Sequence, residues 1–301
     1  MLILAMLSCK TTRDPGTGDD SPVADSDSAT DDSTPPAGDP SALRFYGTGK
    51  SNVDRVRVDL DPGGESSTVD VGADDFTVEL WLTGAAANNR APAMDCSDAV
   101  WNRGNVLLDS TRMGSDGWGL SAAGGTLIFA VTVEGETGVI CGGRDVLDED
   151  WHHVAVARRA SDGQLWLFSD GLVEAVAYGP TGDLSYPDGA DPSAACGHAA
   201  DEVCENDPYL VIGAEAHDSG PPFPSFSGTL DELRVSSTVR YTGAFEVPGR
   251  ALSADDDTLA LFHLDEAEGE AAEDELGGEP GELLIGGTPP GPEWVAESPF
   301  E

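Results

Sequence analysis

The chain has 301 residues, and 15 Lys plus Arg against 56 Asp plus Glu give a formal net charge of −41. A surface this acidic repels phosphate backbones and anionic lipid, which argues against nucleic acid and against electrostatic membrane contact, since both depend on Lys and Arg neutralising anions. The 39% hydrophobic fraction allows a sizeable core, whereas 37 Gly and 20 Pro argue against a helical bundle and suit many short strands joined by turns.

The sequence opens MLILAMLSC and turns polar at Lys10. The apolar run ending at Ser8-Cys9 resembles the end of a bacterial lipoprotein signal peptide, whose Cys is lipidated and becomes the first mature residue. It departs from that pattern in its short length, in Met6, and in lacking a basic residue before the run. The resemblance implies a signal segment at 1–9, lipidation at Cys9 and export; the alternative is an apolar terminus with an incidental Cys. Residues 10–41 are Asp, Ser, Thr, Pro, Gly and Ala with almost no large apolar side chain. Such a segment buries too little surface to offset its conformational entropy, so it reads as a disordered tether. Lys10 after the Cys is compatible with an outer-membrane or cell-surface destination, with membrane contact only through the lipid.

From Leu43 onward the hydrophobic period is two. Val56, Val58 and Leu60 alternate with Arg55, Arg57 and Asp59. Phe76, Val78, Leu80 and Leu82 face one way, and Thr77, Glu79, Trp81 and Thr83 face the other. Thr126–Val133 is a further strand, rich in Ile, Phe, Val and Thr. Between Trp151 and Tyr178, strands flank Ser161-Asp162-Gly163 and Ser169-Asp170-Gly171; Asp-Gly is favoured in tight hairpins because Gly accepts positive φ, so a three-stranded antiparallel meander is expected. Tyr209–Ala214, Gly228–Ser236 and Thr258–Leu264 complete the series. Many short strands with no long amphipathic helix predict an all-β fold, a two-sheet antiparallel β-sandwich.

The phrases LRFYGTG, DDFTVELWL, DEDWHHVAVAR, LWLFSDG, LVIGA, FSGTLDELRVSSTVRYTGAF and DDDTLALFHLDEAEG, in that order, resemble the laminin-G-like jelly rolls of the concanavalin A-like lectin/glucanase superfamily. The resemblance covers roughly residues 42–301 and implies two curved antiparallel sheets with the first and last strands adjacent. It leaves function open, because the fold hosts lectins, calcium-dependent protein binders, adhesion modules and glycoside hydrolases.

Glucanases of this fold carry paired carboxylates along one strand, written E-x-D-x-x-E, because hydrolysis needs an acid and a nucleophile or base on one face. No such strand is present: Glu134 and Glu136 sit at a hairpin turn, and Glu266 to Glu275 lie in polar stretches. The chain is therefore read as non-catalytic. His152 and His153 are neighbours on a strand, point to opposite faces and cannot share one ion. Asp231 is assigned to the face of Leu233 and Val235, with Glu232 on the face of Leu230 and Arg234; a carboxylate on an apolar face must be paired, hydrogen-bonded or metal-bound, and for both residues a structural hydrogen-bond anchor to a neighbouring loop is the favoured role. Cys96, Cys141, Cys196 and Cys204 remain after Cys9, and four cysteines allow three connectivities. Export favours disulfides. Closeness within one polar insertion pairs Cys196 with Cys204, which leaves Cys96 with Cys141; His198 between two of them also admits a zinc reading. Asp-rich, Gly-containing loops suggest calcium, and in pentraxins, relatives of this fold, acidic residues just after a similar strand end bind that ion. Glu215 matches that place, Asp218 is one residue out of register, and Asp116 could approach the same edge. The expected function is binding or adhesion at the cell surface, with a glycan or a protein as ligand. A glycoside hydrolase and a ligand-free envelope protein are the alternatives.

Overall fold

The computed structural model describes residues 41–112, 116–189, 207–217 and 219–300. Cys9, the segment 10–40, Cys196, His198, Cys204 and Asp218 lie outside them. Among the described residues the helical content is confined to two 3-10 turns, Pro62–Gly64 and Trp101–Arg103. The strands are β1 (Ala42–Phe45), β2 (Arg55–Asp59), β3 (Phe76–Gly84), β4 (Asn105–Asp109), β5 (Gly117–Ala123), β6 (Thr126–Val133), β7 (Glu136–Cys141) and β8 (His152–Arg159). They continue with β9 (Gln164–Ser169), β10 (Leu172–Tyr178), β11 (Tyr209–Ile212), β12 (Gly228–Ser236), β13 (Thr258–Phe262), β14 (Ala271–Ala272), β15 (Gly281–Leu284) and β16 (Glu293–Val295).

They form two antiparallel sheets. The first has the order β10-β9-β8-β3-β12-β1-β16, with β13 also paired to β12, and the second β14-β15-β2-β11-β4-β5-β6-β7. The meander β8-β9-β10 is present, and its second turn uses Asp170 and Gly171 at φ 51° and 71°, the twist a two-residue hairpin needs. First and last strands are adjacent, Ala42 opposite Val295. The inward residues read from the alternation, Phe76, Val78, Leu80 and Leu82, meet Val56, Val58, Trp118, Phe129 and Leu210 in one core between the sheets.

Both outer faces are also partly covered. On the first sheet, Ala155, Ala157, Trp166 and Phe168 pack under Val239, Tyr241 and Phe245 of the β12–β13 connection. This cover lets β3 bury Glu79 completely: Arg234 and Tyr241 donate hydrogen bonds to it, and His153 Nε2 lies 3.1 Å from its second oxygen. Burial alone would push the Glu79 carboxyl up, but the His153 and Arg234 contacts outweigh it and hold the group below its usual value. On the second sheet, Trp101 lies flat on β5, where a Cβ at Gly119 would stand 2.2 Å from the indole. A disulfide between Cys96 and Cys141, Cα–Cα 5.8 Å, ties that excursion to β7, as the pairing argument expects.

One strand differs from its sequence reading. In β12, Asp231 pairs with Trp81 and Arg234 with Glu79, so Glu232 and Leu233 together oppose Leu80. This is a β-bulge, with Glu232 at φ 54°. The extra residue shifts the alternation, so Leu230, Leu233 and Val235 all reach the core. Asp231 therefore does not share a face with Leu233 and Val235; it lies on the outer face beside Trp81.

Candidate functional site

An open polar cleft of about 510 Å³ lies on the outer face of the first sheet. Its floor follows from strand register. Arg44 of β1 pairs with Thr229 of β12, which pairs with Thr83 of β3. Leu43, Leu230 and Leu82 point into the core, so their neighbours Arg44, Thr229 and Thr83 form a row on the opposite face. One wall carries Glu149 and Trp151, the other Glu297 and Ser298, and Asn88 stands at the rim.

Both walls are pinned. Glu149 N–H donates to Gly84 O at 3.0 Å and Thr83 Oγ1 donates to Glu149 O at 3.1 Å. Glu149 itself adopts φ 78°, a left-handed conformation uncommon for a side chain of this kind. The loop thus turns sharply, leaving Glu149 exposed and Trp151 half-buried at the start of β8. On the other side Thr229 Oγ1 donates to Glu297 at 2.9 Å, and Phe300 meets Trp81 edge-on at 5.5 Å. The cleft therefore offers one partly covered indole among a guanidinium, an amide, hydroxyls and two carboxylates.

A second constellation lies where β4 and β11 end. One ligand atom each from Asp109, Glu215 and His217 lies within 4.8 Å of the others. Asp109 is fully buried and Glu215 is 5% exposed. Thr111 N–H and Oγ1 donate to Asp109 Oδ1, and Ala216 N–H donates to Oδ2. Burial pushes the Asp109 carboxyl up to about 6, with His217 opposing the shift and Glu215 adding to it. His217 N–H donates to Glu215 Oε2 at 2.8 Å, and its Nδ1 lies 3.7 Å from Oε1. The side chain of His217 is 3% exposed, and its Nε2 has no hydrogen-bond partner among the described residues.

Of the residues expected at a calcium site, Glu215 is in this cluster and Asp116 is not. Asp116 Oδ1 accepts from Glu134 N–H at 2.6 Å, its Oδ2 lies 3.6 Å from Arg112, and it lines a separate groove with Asp183 and Asp188. The strand-end position brings Asp109 to Glu215 instead. Calcium takes six to eight oxygens; among the described residues the gathered set is two carboxylates and an imidazole, and Asp218 lies outside them.

Asp231 is 3% exposed and accepts a hydrogen bond from Glu232 N–H. Burial, and then the Glu232 charge, push its carboxyl up to about 9. The residue that ties down neighbouring chain is Glu232, which accepts from Leu252 N–H at 2.7 Å and pairs with His263 Nδ1 at 2.9 Å. His152 and His153 have separate partners, Asp148 and Asp170 for the first and Glu79 for the second. Reading the sequence missed Arg44, Trp151 and Glu297, although the placement of Thr83 opposite Leu82 already marked one floor position.

No protein-family model and no curated protein matches the chain. Among solved structures, a proposed carbohydrate-binding protein from Bacteroides ovatus aligns with TM-score 0.48 and 16% identity over 82% of this chain. The chain spans 59% of that protein, less than two thirds of its length. A heptameric SAP-like pentraxin from Limulus polyphemus aligns with TM-score 0.43 and 16% identity, over 68% of this chain and 79% of that one. Domains LG4–5 of the mouse laminin α1 chain give TM-score 0.43 and 15% identity, over 72% and 46%. What each of these proteins binds is a property of that protein.

Proposed function

We propose that this chain is a non-catalytic binding domain, displayed at a bacterial cell surface on a lipid attached to Cys9, that recognises a neutral glycan in the Trp151 cleft. The observation that carries the reading is the cleft itself: a half-buried indole next to planar, fork-shaped polar groups on a rigid three-strand floor. A pyranose has one apolar face that stacks on an aromatic ring and a rim of hydroxyls that exchange hydrogen bonds with Arg, Asn and carboxylate groups. The volume of about 510 Å³ lies within the range of small-ligand sites. The net charge of −41 disfavours sulfated or uronate-rich sugars and leaves neutral ones.

A glycan array probed with the purified chain tests the ligand class. Binding confined to neutral oligosaccharides is expected, with no release of reducing ends from any polysaccharide bound. A blank array would remove the glycan and leave a protein ligand; released reducing ends would favour the hydrolase. The anchor has its own test. Cells fed a labelled fatty acid should label the wild-type protein and not Cys9→Ala; label on both, or on neither, contradicts lipidation.

A further inference from the structure

We propose that Asp109, Glu215 and His217 hold a zinc-class divalent metal ion rather than calcium. The site lies at the ends of β4 and β11 in the second sheet, so it stands independently of the glycan reading of the first. Three observations carry it. The first is the donor set: two carboxylates and one imidazole within 4.8 Å of one another. Imidazole suits zinc, copper, iron and nickel, whereas calcium takes oxygen. Three protein ligands with a remaining position for water is a common zinc arrangement. A tetrahedron built on bonds of ~2.0–2.2 Å has edges of about 3.4 Å, so the three donors need draw together only modestly.

The second observation is the unsatisfied nitrogen. The side chain of His217 is 3% exposed, yet its Nε2 has no hydrogen-bond partner among the described residues, while its Nδ1 faces Glu215 Oε1 at 3.7 Å, within ion-pair range. A buried imidazole nitrogen without a hydrogen bond is unfavourable unless something else occupies it. The third is support behind the ligands. Thr111 and Ala216 donate to the two oxygens of Asp109, and His217 N–H donates to one oxygen of Glu215. These contacts orient the carboxylates, and Asp109 Oδ2, which accepts the Ala216 N–H, has a second lone pair that a metal could take.

The test uses the purified chain after chelator treatment. Zinc chloride and calcium chloride are titrated separately by calorimetry, and melting is followed in each. Zinc should bind at least tenfold more tightly than calcium and raise the melting temperature, while millimolar calcium leaves it unchanged. Because surface groups and cysteines also take up zinc, the site is read by difference. His217→Gln and Glu215→Gln should each weaken the tight event at least tenfold; Asp116→Asn should not. Cobalt supplies a spectroscopic check, since its visible absorption on this site should be lost in His217→Gln. Tighter binding of calcium than zinc overturns the proposal. So does the absence of any tight zinc event in wild type, or full zinc affinity and an unchanged cobalt spectrum in His217→Gln.

Discussion

Asp231 shows how much one residue can be worth when its surroundings change its charge. Its carboxyl titrates at about 9 in the folded chain against an ordinary value of 3.8, because burial and the nearby Glu232 penalise the anion. An acid with a raised folded pKa opposes folding once the unfolded chain ionises. The penalty is absent below about pH 4 and grows until the folded group also ionises near pH 9. His263 slopes the same way. Its hydrogen bond to Glu232 raises it from 6.5 to about 9, so its contribution is complete below pH 6.5 and is lost as pH rises towards 9. Asp231→Asn keeps the shape and removes the charge, and it should stabilise the fold by ~1–3 kcal/mol at pH 8 while changing little at pH 4. Urea melts across that range check it; equal stability of variant and wild type at pH 8 would contradict the burial argument. The sequence placed Asp231 among apolar neighbours and so marked it as unusual. It could not show the face, because a bulge is a backbone choice with no residue signature here, and Glu232 at positive φ is not a glycine.

At the scale of elements, what could be read depended on pattern length. The β8-β9-β10 meander announced itself through two Asp-Gly turns, and β3 through four alternating apolar residues. β4, NVLLD, and β5, GWGLSAA, carry no alternation because every residue of both is buried. Glycine at 119 argues against a strand until Trp101, eighteen positions earlier, is seen to need that space. The cleft was hidden for the same reason of distance. Arg44, Thr83, Trp151 and Glu297 meet only because β1, β3 and β12 pair side by side. Of the cluster Asp109, Glu215 and His217, the sequence marked Glu215, three residues beyond the end of β11; Asp109 required the β4–β11 pairing. The Cys96–Cys141 bond closes a separation of 45 residues and holds the excursion that delivers Trp101. Replacing both cysteines by serine should lower stability by about 3–4 kcal/mol on the chain-entropy account. A denaturant midpoint unchanged in the double variant would mean that the excursion is held by the Trp101 packing alone.

The whole molecule carries its charge as a condition of its behaviour. At −41, with few Lys or Arg to compensate, like charges crowd the surface and oppose compaction. Salt shortens the screening length to about 8 Å at physiological ionic strength and about 3 Å at 1 M. Sodium chloride should therefore raise the melting temperature steadily between low salt and 1 M, and a flat or falling profile would show that the acidic groups are compensated locally. On the proposed reading the same charge filters ligands, turning away polyanions and leaving neutral glycans to the Trp151 cleft. The most direct measurement is a calorimetric titration of the best neutral oligosaccharide from the array against wild type and Trp151→Ala, both verified as folded by circular dichroism. Loss of a stacking anchor is worth about 2 kcal/mol, so affinity should fall roughly thirtyfold in the variant. Undiminished affinity in Trp151→Ala would contradict the assignment of the cleft as the binding site.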